Sequence, residues 1–161
     1  MENAGLRRVS TRIQSGNVLF ESDLLEQAAK EAIERALKDG ATITTTAVLR
    51  TAEELDALTR NCPFSAEEIA ASQAENAEGE SFYVSLLTQL PSEQALTQLA
   101  FTPAEKDVYV ISGRTVYLLL RQSIRNSKLA VRLLHAFPDA TTRNWNTITK
   151  LSDLTNIPNG G

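Results

Sequence analysis

Apolar and polar residues alternate along two short segments near the start of the chain, and this pattern predicts two strands. Residues 9–14 alternate and are rich in β-forming residues, and residues 17–20 form a second short run of the same kind. Ser15, Gly16 and Asn17 lie at the turn between them, where Gly16 supplies the positive φ that a tight hairpin needs. The first element expected is therefore a β-hairpin.

The spacing of apolar residues then changes from two to about 3.6, which indicates a helix. Residues 24–37 carry leucine, isoleucine and alanine along one helical face. Ser22 or Asp23 can accept hydrogen bonds from the free N–H groups of the first turn, and Gly40 suits the end of the helix.

A strand, a capped helix and an acidic segment follow. Residues 44–49 are predicted to form a strand, and Thr51 with Glu54 makes a capping box that opens a helix through residue 58. Residues 63–80 are acidic, rich in alanine and short of periodicity. We interpret this segment as a linker between two halves, with a middle that could be helical.

The second half repeats the alternation of strands and helices. The pattern predicts, in order, a strand at 81–87, a helix at 92–100, strands at 107–111 and 114–120, a helix at 124–137, an extended segment at 141–143 and a helix at 146–154. The two central strands form a hairpin that turns at Ser112 and Gly113, and Pro138 ends the following helix.

The order of elements predicts an α+β fold of two ferredoxin-like (βαββαβ) subdomains with antiparallel sheets, of which the first lacks its opening strand and helix. The expected organisation is a truncated first half at 1–62, the acidic linker at 63–80, a second half with a C-terminal helix at 81–155, and a disordered tail at 156–161.

Composition excludes several classes of function. The chain has 161 residues, a formal net charge of −4 and one histidine and one cysteine. An acidic chain has no global basic field, so nucleic acid is an improbable partner. With His135 and Cys62 as the whole supply of imidazole and thiol, no structural metal site is expected, and no cofactor is predicted. A single cysteine and a polar N-terminus predict a cytoplasmic protein without a membrane segment.

Three motifs together carry a resemblance to a known family. They are Ile-Gln-Ser-Gly-Asn-Val-Leu-Phe at 13–20, Ser-Lys-Leu at 127–129 and Thr-Thr-Arg-Asn-Trp-Asn-Thr-Ile-Thr-Lys-Leu at 141–151, supported by the residues at 50–55 and 63–64. From residue 5 to about residue 154 the chain resembles the bacterial family known as domain of unknown function 1697. The resemblance implies two ferredoxin-like subdomains. It implies no activity and no catalytic residues, since that family has no established reaction.

One departure from the family pattern concerns the beginning of the chain. Members of the family usually open with a strand, a glycine-containing loop and a helix, whereas residues 1–6 here match the end of that helix. Either Met1 is an internal start or the chain is trimmed, or a partner chain fills the gap. Loss of a central strand would leave unpaired strand edges, so a homo-oligomer joined through those edges is one expectation.

The best candidate site lies in the last motif. Arg143 is a side chain that binds anions in a bidentate manner, and Asn144, Asn146 and Thr147 can cap the final helix. A helix N-terminus beside an arginine suits a small phosphate-bearing or anionic ligand. The same residues could instead be ordinary caps, with Trp145 joining parts of the fold, and this structural interpretation is favoured.

A second candidate is a basic segment at 114–150. It holds seven basic residues and one acid, Asp139, for a net charge of +6, while the rest of the chain carries −10. The basic residues are Arg114, Arg121, Arg125, Lys128, Arg132, Arg143 and Lys150. Helical spacing would place Arg125, Lys128 and Arg132 on one face, where Lys128 could add to the anion site. Docking of this segment on the acidic half, or plain solvation, is the favoured alternative.

The remaining polar residues give weaker signals. Gln14 and Asn17 could line a cleft, although closing the hairpin through local hydrogen bonds is the favoured role. His135 has no identifiable catalytic partner in the sequence, and Cys62 has no nearby basic residue to activate it. The glycine-rich loops that bind nucleotides are absent from the sequence.

Three functional hypotheses therefore remain open. The first is a binding module for a small phosphate-bearing or anionic ligand. The second is a structural or interaction protein without catalysis, and the third is an enzyme whose reaction the sequence does not reveal.

Overall fold

The structure is a computed structural model, which describes residues 6–12, 17–41, 46–76, 79–100 and 106–155. The strands of these residues are β1 (Leu6–Arg12), β2 (Asn17–Ser22), β3 (Phe82–Leu86), β4 (Val108–Ser112), β5 (Thr115–Leu119) and β6 (Thr141–Asn144). Their helices are α1 (Glu26–Ala41), α2 (Ala52–Arg60), α3 (Ala66–Glu75), α4 (Glu93–Ala100), α5 (Lys128–Ala136) and α6 (Trp145–Thr155). The predicted α+β class is confirmed as a mixed fold with a four-stranded antiparallel sheet.

The chain divides into two compact units, Met1–Leu49 and Arg50–Gly161. This division falls earlier than the boundary after residue 62 that the sequence suggested. Helix α2, which the sequence assigned to the first half, belongs to the second unit, where it packs against α6.

The first unit holds the predicted hairpin and the first helix. Strand β1 pairs antiparallel with β2, and the register shifts between Arg7 and Ser10. The turn at 13–16 lies outside the described residues. Before α1, the Ser22 hydroxyl accepts a hydrogen bond from the Leu24 N–H at 3.0 Å. On the helix, Ala29 and Ile33 are buried one turn apart. Leu24 and Leu25, which the apolar spacing placed on the buried face, lie before the first residue of α1 and are exposed.

The strand predicted at 44–49 is wrong for its described part. Residues 46–50 form no regular structure, and residues 44 and 45 lie outside the described part of the chain. A run of threonine and valine favours a strand only where a neighbouring strand offers a pleated surface to pack on. No strand of the described residues pairs with this segment.

The second unit is built on the sheet with strand order β4-β5-β3-β6, in which every neighbouring pair is antiparallel. Helix α4 connects β3 to β4, and helix α5 connects β5 to β6. The β4–β5 hairpin turns at Gly113, whose φ of 58° lies in the left-handed region that favours glycine. The hairpin predicted at Ser112 and Gly113 is therefore confirmed.

Both faces of this sheet are covered. On one face a buried apolar core joins the strands to α4 and α5, and its members are Leu87, Leu99, Val116, Leu118, Leu120, Leu129 and Leu133. On the opposite face Tyr117 reaches α2, where its hydroxyl donates to the Leu58 carbonyl at 2.7 Å, and Phe82 stacks on Trp145 of α6. All five residues of β5 are buried because this central strand packs on both sides.

Helices α3 and α5 differ most from what the sequence predicted. The segment interpreted as a linker contains α3, which Ser65 and Glu68 open with a reciprocal capping box. Helix α5 begins at Lys128 rather than at residue 124, because the Ser127 hydroxyl accepts the Ala130 N–H and makes Ser127 the N-cap. The residues before it form a turn, in which the Asn126 N–H donates to the Ser123 carbonyl. The predicted tail at 156–161 lies outside the described residues.

Tyr117 gives a stability prediction that depends on pH. Burial, and to a smaller extent the nearby Cys62, raise the pKa of Tyr117 above its usual value. Because the pKa is higher in the folded state, the protonated Tyr117 hydroxyl contributes fully to stability below about pH 10, the pKa of an unfolded tyrosine. This contribution is lost as pH rises through the folded-state pKa. We expect Tyr117→Phe to lower the free energy of unfolding by about 1 kcal/mol at neutral pH. Above pH 10 the difference between the variant and the wild-type protein should shrink.

Urea unfolding at a series of pH values checks this. Burial, and to a smaller extent Glu80, also raise the pKa of Tyr83. Tyr117→Phe should therefore reduce the loss of stability at alkaline pH without abolishing it. Tyr109→Phe, which removes the hydroxyl of a half-buried tyrosine in β4, is the matched control. A constant difference between Tyr117→Phe and the wild-type protein from pH 7 to 11 would contradict the assignment.

Candidate functional site

The junction between β6 and α6 contains most of the predicted site residues. Strand β6 pairs with β3, so Arg143 lies opposite Val84, and the helix begins two residues later. The Asn144 side chain caps α6, since its Oδ1 accepts the Thr147 N–H at 2.9 Å. Trp145 stacks on Phe82 with ring centroids 4.5 Å apart and planes inclined by 11°.

Arg143 is half-buried at this junction. One guanidinium nitrogen donates to the carbonyl of Thr142 at 2.9 Å. Burial lowers the pKa of the Arg143 guanidinium from its ordinary value. The neighbouring Thr142 hydroxyl bonds the Ser85 hydroxyl of β3 at 2.6 Å, which ties the edge strand to the sheet.

The other predicted site residues are distributed over several elements. Asn146 is exposed in the first turn of α6, and Thr147 contributes its backbone N–H to the Asn144 cap. Lys128 is the exposed first residue of α5. Asn17 begins β2 in the first unit, and Gln14 lies outside the described residues. The structure thus brings Arg143, Asn144, Asn146 and Thr147 together along one junction, and Lys128 and Asn17 belong to other elements.

The basic segment makes ion pairs with acidic residues of its own unit. Arg121 pairs with Glu75 at the end of α3, and Lys106 also reaches Glu75 at 3.3 Å. Arg114 pairs with Glu54 of α2 at 2.9 Å. Part of the positive charge of this segment therefore pairs with acidic residues of α2 and α3. This agrees with the alternative that the basic segment docks on the acidic part of the chain.

The helix face predicted for Arg125, Lys128 and Arg132 needs correction. Arg125 lies in the turn before α5, because Ser127 rather than an earlier residue caps the helix. Lys128 and Arg132 are four residues apart on α5 and share one side of it.

A buried carboxylate that sequence reasoning missed organises the start of α5. Asp107 is 4% exposed, and its two oxygens accept three hydrogen bonds. The donors are the Arg121 N–H at 2.9 Å, the Gln122 side-chain amide at 2.8 Å and the Ser127 hydroxyl at 2.7 Å. The partners lie 14 to 20 residues away from Asp107 in the sequence, so no local motif predicts this cluster.

A second polar network joins the end of α3 to the same region. The Asn76 side-chain amide donates to the carbonyls of Glu80 and Gln122, each at 3.0 Å. Gln73 accepts the Ser81 N–H at 3.1 Å, and its amide donates to the Gly79 carbonyl at 2.7 Å. Across the described residues, every buried side-chain nitrogen and oxygen has a hydrogen-bond partner.

The residues at 50–55 connect α2 to the sheet. Arg50 donates to the carbonyls of Leu87 at 2.7 Å and Arg114 at 2.9 Å, and these residues are also joined by a backbone bond from the Leu87 N–H to the Arg114 carbonyl. Thr51 and Glu54 form the predicted capping box, and the other oxygen of Glu54 binds Arg114. This motif therefore holds together the ends of β3, β5 and α2.

Within the described residues no group of three or more histidine, cysteine, aspartate or glutamate side chains could hold a metal ion. His135 is exposed near the end of α5, and the half-buried Cys62 thiol donates to the Phe64 carbonyl at 3.4 Å. Among the helices of the described part, none combines the length and the apolar character needed to cross a membrane.

The fold and these networks define an α+β protein whose largest described sheet has four antiparallel strands covered by helices. The chain belongs to the family described as "Protein of unknown function (DUF1697)", which matches residues 1–117. The motifs at 127–129 and 141–151 lie beyond the matched range. The match over residues 1–117 confirms the family to which the sequence was compared, whereas the loss of an N-terminal strand and helix stays a prediction.

Comparison with solved structures finds the conserved bacterial protein SP0830 from Streptococcus pneumoniae. The TM-score is 0.69 at 20% sequence identity, and the match covers 96% of this chain and 83% of the other. At this identity the likeness shows a shared fold. No curated protein matches the chain.

Proposed function

We propose that the protein is a non-catalytic interaction protein that binds another protein through the outer side of α5. The observation that carries this proposal is the exposure of two apolar residues three positions apart on that helix. Leu134 is 65% exposed and Val131 is 46% exposed, while Leu129 and Leu133 on the inner side are buried. An exposed apolar patch rimmed by polar residues is one mark of a surface that contacts a partner.

The roles of the motif residues support an interaction function over catalysis. Arg50 binds backbone carbonyls, Ser127 caps α5 and binds Asp107, and Asn144 caps α6. Trp145 stacks on Phe82. The side chains that best identify the sequence thus stabilise the fold in their described contacts, and none of them needs a substrate to explain its position.

We also infer that residues 81–155 form a ferredoxin-like half. The order β3-α4-β4-β5-α5-β6 and the antiparallel arrangement β4-β5-β3-β6 support this assignment. In this arrangement α4 and α5 lie on one face of the sheet, so the outer side of α5 is available to a partner. An experimental structure in which α5 did not cross over the sheet between β5 and β6 would overturn the inference.

Site-specific photo-crosslinking tests the interaction function. Benzoylphenylalanine is placed at position 134 in one version of the protein and at position 153, an exposed residue of α6, in a control version. In living cells of the organism that makes the protein, irradiation should give a discrete adduct from position 134 and none from position 153. Adducts at neither position, with both versions folded and expressed equally, would refute the proposal.

A second candidate function is binding of a small phosphate-bearing or anionic ligand at the β6–α6 junction. Arg143 lies two residues before the start of an eleven-residue helix, and Asn146 is exposed in its first turn. A helix N-terminus beside a guanidinium favours an anion. The nearest described partners of these residues are internal, and for this reason the candidate ranks second.

Thermal unfolding in the presence of inorganic phosphate tests this second candidate. Ligand binding should raise Tm in proportion to the logarithm of phosphate concentration once the site saturates, and Arg143→Ala should abolish the rise. Arg132→Ala removes an exposed arginine elsewhere and is the matched control. An equal rise in all three proteins would indicate general ionic stabilisation and refute the site.

A further inference from the structure

The outer side of α5 combines apolar and basic residues. Val131 and Leu134 are three positions apart, and Arg132 and His135 are exposed beside them. Lys128, at the start of the helix, is also exposed. We call this set of five residues the α5 surface.

The charge of the α5 surface is one-sided. Helix α5 itself contains no aspartate or glutamate, and Asp139, three residues after its end, is the nearest acid along the sequence. The α5 surface is thus a place where positive charge borders exposed apolar side chains on a chain whose net charge is −4.

We propose that the α5 surface binds an acidic amphipathic helix of another protein. An apolar stripe flanked by cations is complementary to a helix whose leucines insert between Val131 and Leu134 and whose carboxylates meet Arg132 and Lys128. The inference rests on the proposed interaction function and names the chemistry of the partner.

Other occupants fit these observations less well. Nucleic acid offers phosphates to the cations, but its backbone gives Val131 and Leu134 nothing apolar to contact. An anionic membrane would accept both kinds of residue, yet α5 has nine residues and two exposed apolar side chains, and the chain as a whole is acidic. A second copy would have to place one positive α5 surface against another if the contact were symmetric.

Binding of synthetic peptides by the full chain tests the inference. The probe is a labelled helical peptide of about five turns with leucine along one face and glutamate along the other. The control peptide carries lysine in place of glutamate. Fluorescence anisotropy should show binding of the acidic peptide that weakens as salt is raised, and binding of the lysine peptide at least about 10-fold weaker.

Three variants locate the binding. Leu134→Ser should weaken binding of the acidic peptide by at least about 10-fold. Arg132→Glu should weaken this binding by about 5-fold and make it depend less on salt. Lys150→Glu, which reverses an exposed charge on α6, should stay within about 2-fold of the wild-type protein. Because Leu134 and Arg132 are exposed, both variants should keep the wild-type Tm, and Arg132→Glu remains informative if Leu134→Ser does not fold.

The possible failures separate this inference from the proposed function. Crosslinked adducts at position 134 with no binding of the acidic peptide, or equal binding of both peptides, would overturn the acidic-helix inference while the interaction function stands. An adduct of twice the chain mass, or binding to phosphatidylglycerol vesicles that Leu134→Ser abolishes, would overturn it in favour of self-association or a membrane. Absence of adducts and of peptide binding would overturn both.

Discussion

Replacing Asp107 with alanine is expected to lower the free energy of unfolding by about 3 kcal/mol. The carboxylate is buried and accepts hydrogen bonds from the Arg121 N–H, the Gln122 amide and the Ser127 hydroxyl. Removing it leaves three donors without their acceptor in a region that water reaches poorly. Leaving a buried donor without an acceptor costs more free energy than a hydrogen bond contributes to stability when it is formed.

The matched substitution Asp107→Asn should cost less, about 1–2 kcal/mol. The amide keeps one oxygen acceptor, but its nitrogen donates and therefore opposes the donors of Gln122 and Ser127. Asp153→Asn, which changes an exposed carboxyl on α6, should stay within about 0.5 kcal/mol of the wild-type protein. Urea unfolding followed by circular dichroism measures all three values, and a loss below about 1 kcal/mol for Asp107→Ala would contradict this account.

The Asp107 cluster also explains where α5 begins. Ser127 uses its hydroxyl oxygen to accept the Ala130 N–H and its hydroxyl hydrogen to bind Asp107. The apolar periodicity that begins at Ile124 predicts an earlier start. It depends only on which residues are apolar and carries no information about which serine caps the helix. Loss of Asp107 should therefore loosen the first turn of α5, where Lys128 lies.

Features that depend on short-range sequence were predictable. The capping box of Thr51 and Glu54 and the hairpin turn at Gly113 involve residues within a few positions of one another, and the structure contains both. The capping box of Ser65 and Glu68 is equally local. The spacing of Ser65 and Glu68 in the sequence is that of a capping box, but the alanine-rich, aperiodic composition around it favoured interpretation of the segment as a linker.

Features that depend on distant partners were not predictable. Arg50 binds the carbonyls of Leu87 and Arg114, which are 37 and 64 residues away, so its role as a tie across the sheet had no local signature. The strand predicted from the β-branched residues at 44–49 is wrong at the described residues 46–49 for a related reason. β-propensity describes the side chains, whereas a strand also requires a neighbour to pair with.

The candidate site shows the same division. Helix capping by Asn144 follows from its place before a helical run, and the structure confirms it. The guanidinium of Arg143 could be assigned to anions on its chemistry alone, but its bond to the Thr142 carbonyl depends on how β6 lies against β3. The exposure of Leu134 depends on which side of α5 meets the sheet, and apolar spacing alone left that side undetermined.

Trp145→Ala is expected to lower the free energy of unfolding by about 3 kcal/mol. The indole stacks on Phe82, and Phe82 in turn meets Phe64 edge to face with ring centroids 5.5 Å apart. These contacts anchor the start of α6 to the sheet beside Arg143 and Asn144. Trp145→Phe keeps an aromatic ring in the stack and should cost about 1 kcal/mol, provided that the smaller ring leaves only a partial gap.

A double-mutant cycle with Phe82→Leu separates stacking from simple burial of area. If the parallel rings attract each other beyond the area they bury, the two losses should fail to add by about 0.5–1.5 kcal/mol. Thermal and urea unfolding followed by circular dichroism supply the four free energies, since Trp145 is the single tryptophan and its fluorescence is lost in two of the four proteins. Strict additivity would mean that Trp145 stabilises α6 only by filling space. In that case the tryptophan of the last motif could be replaced by any apolar residue of similar volume, and the flat geometry of the stack would have no energetic role.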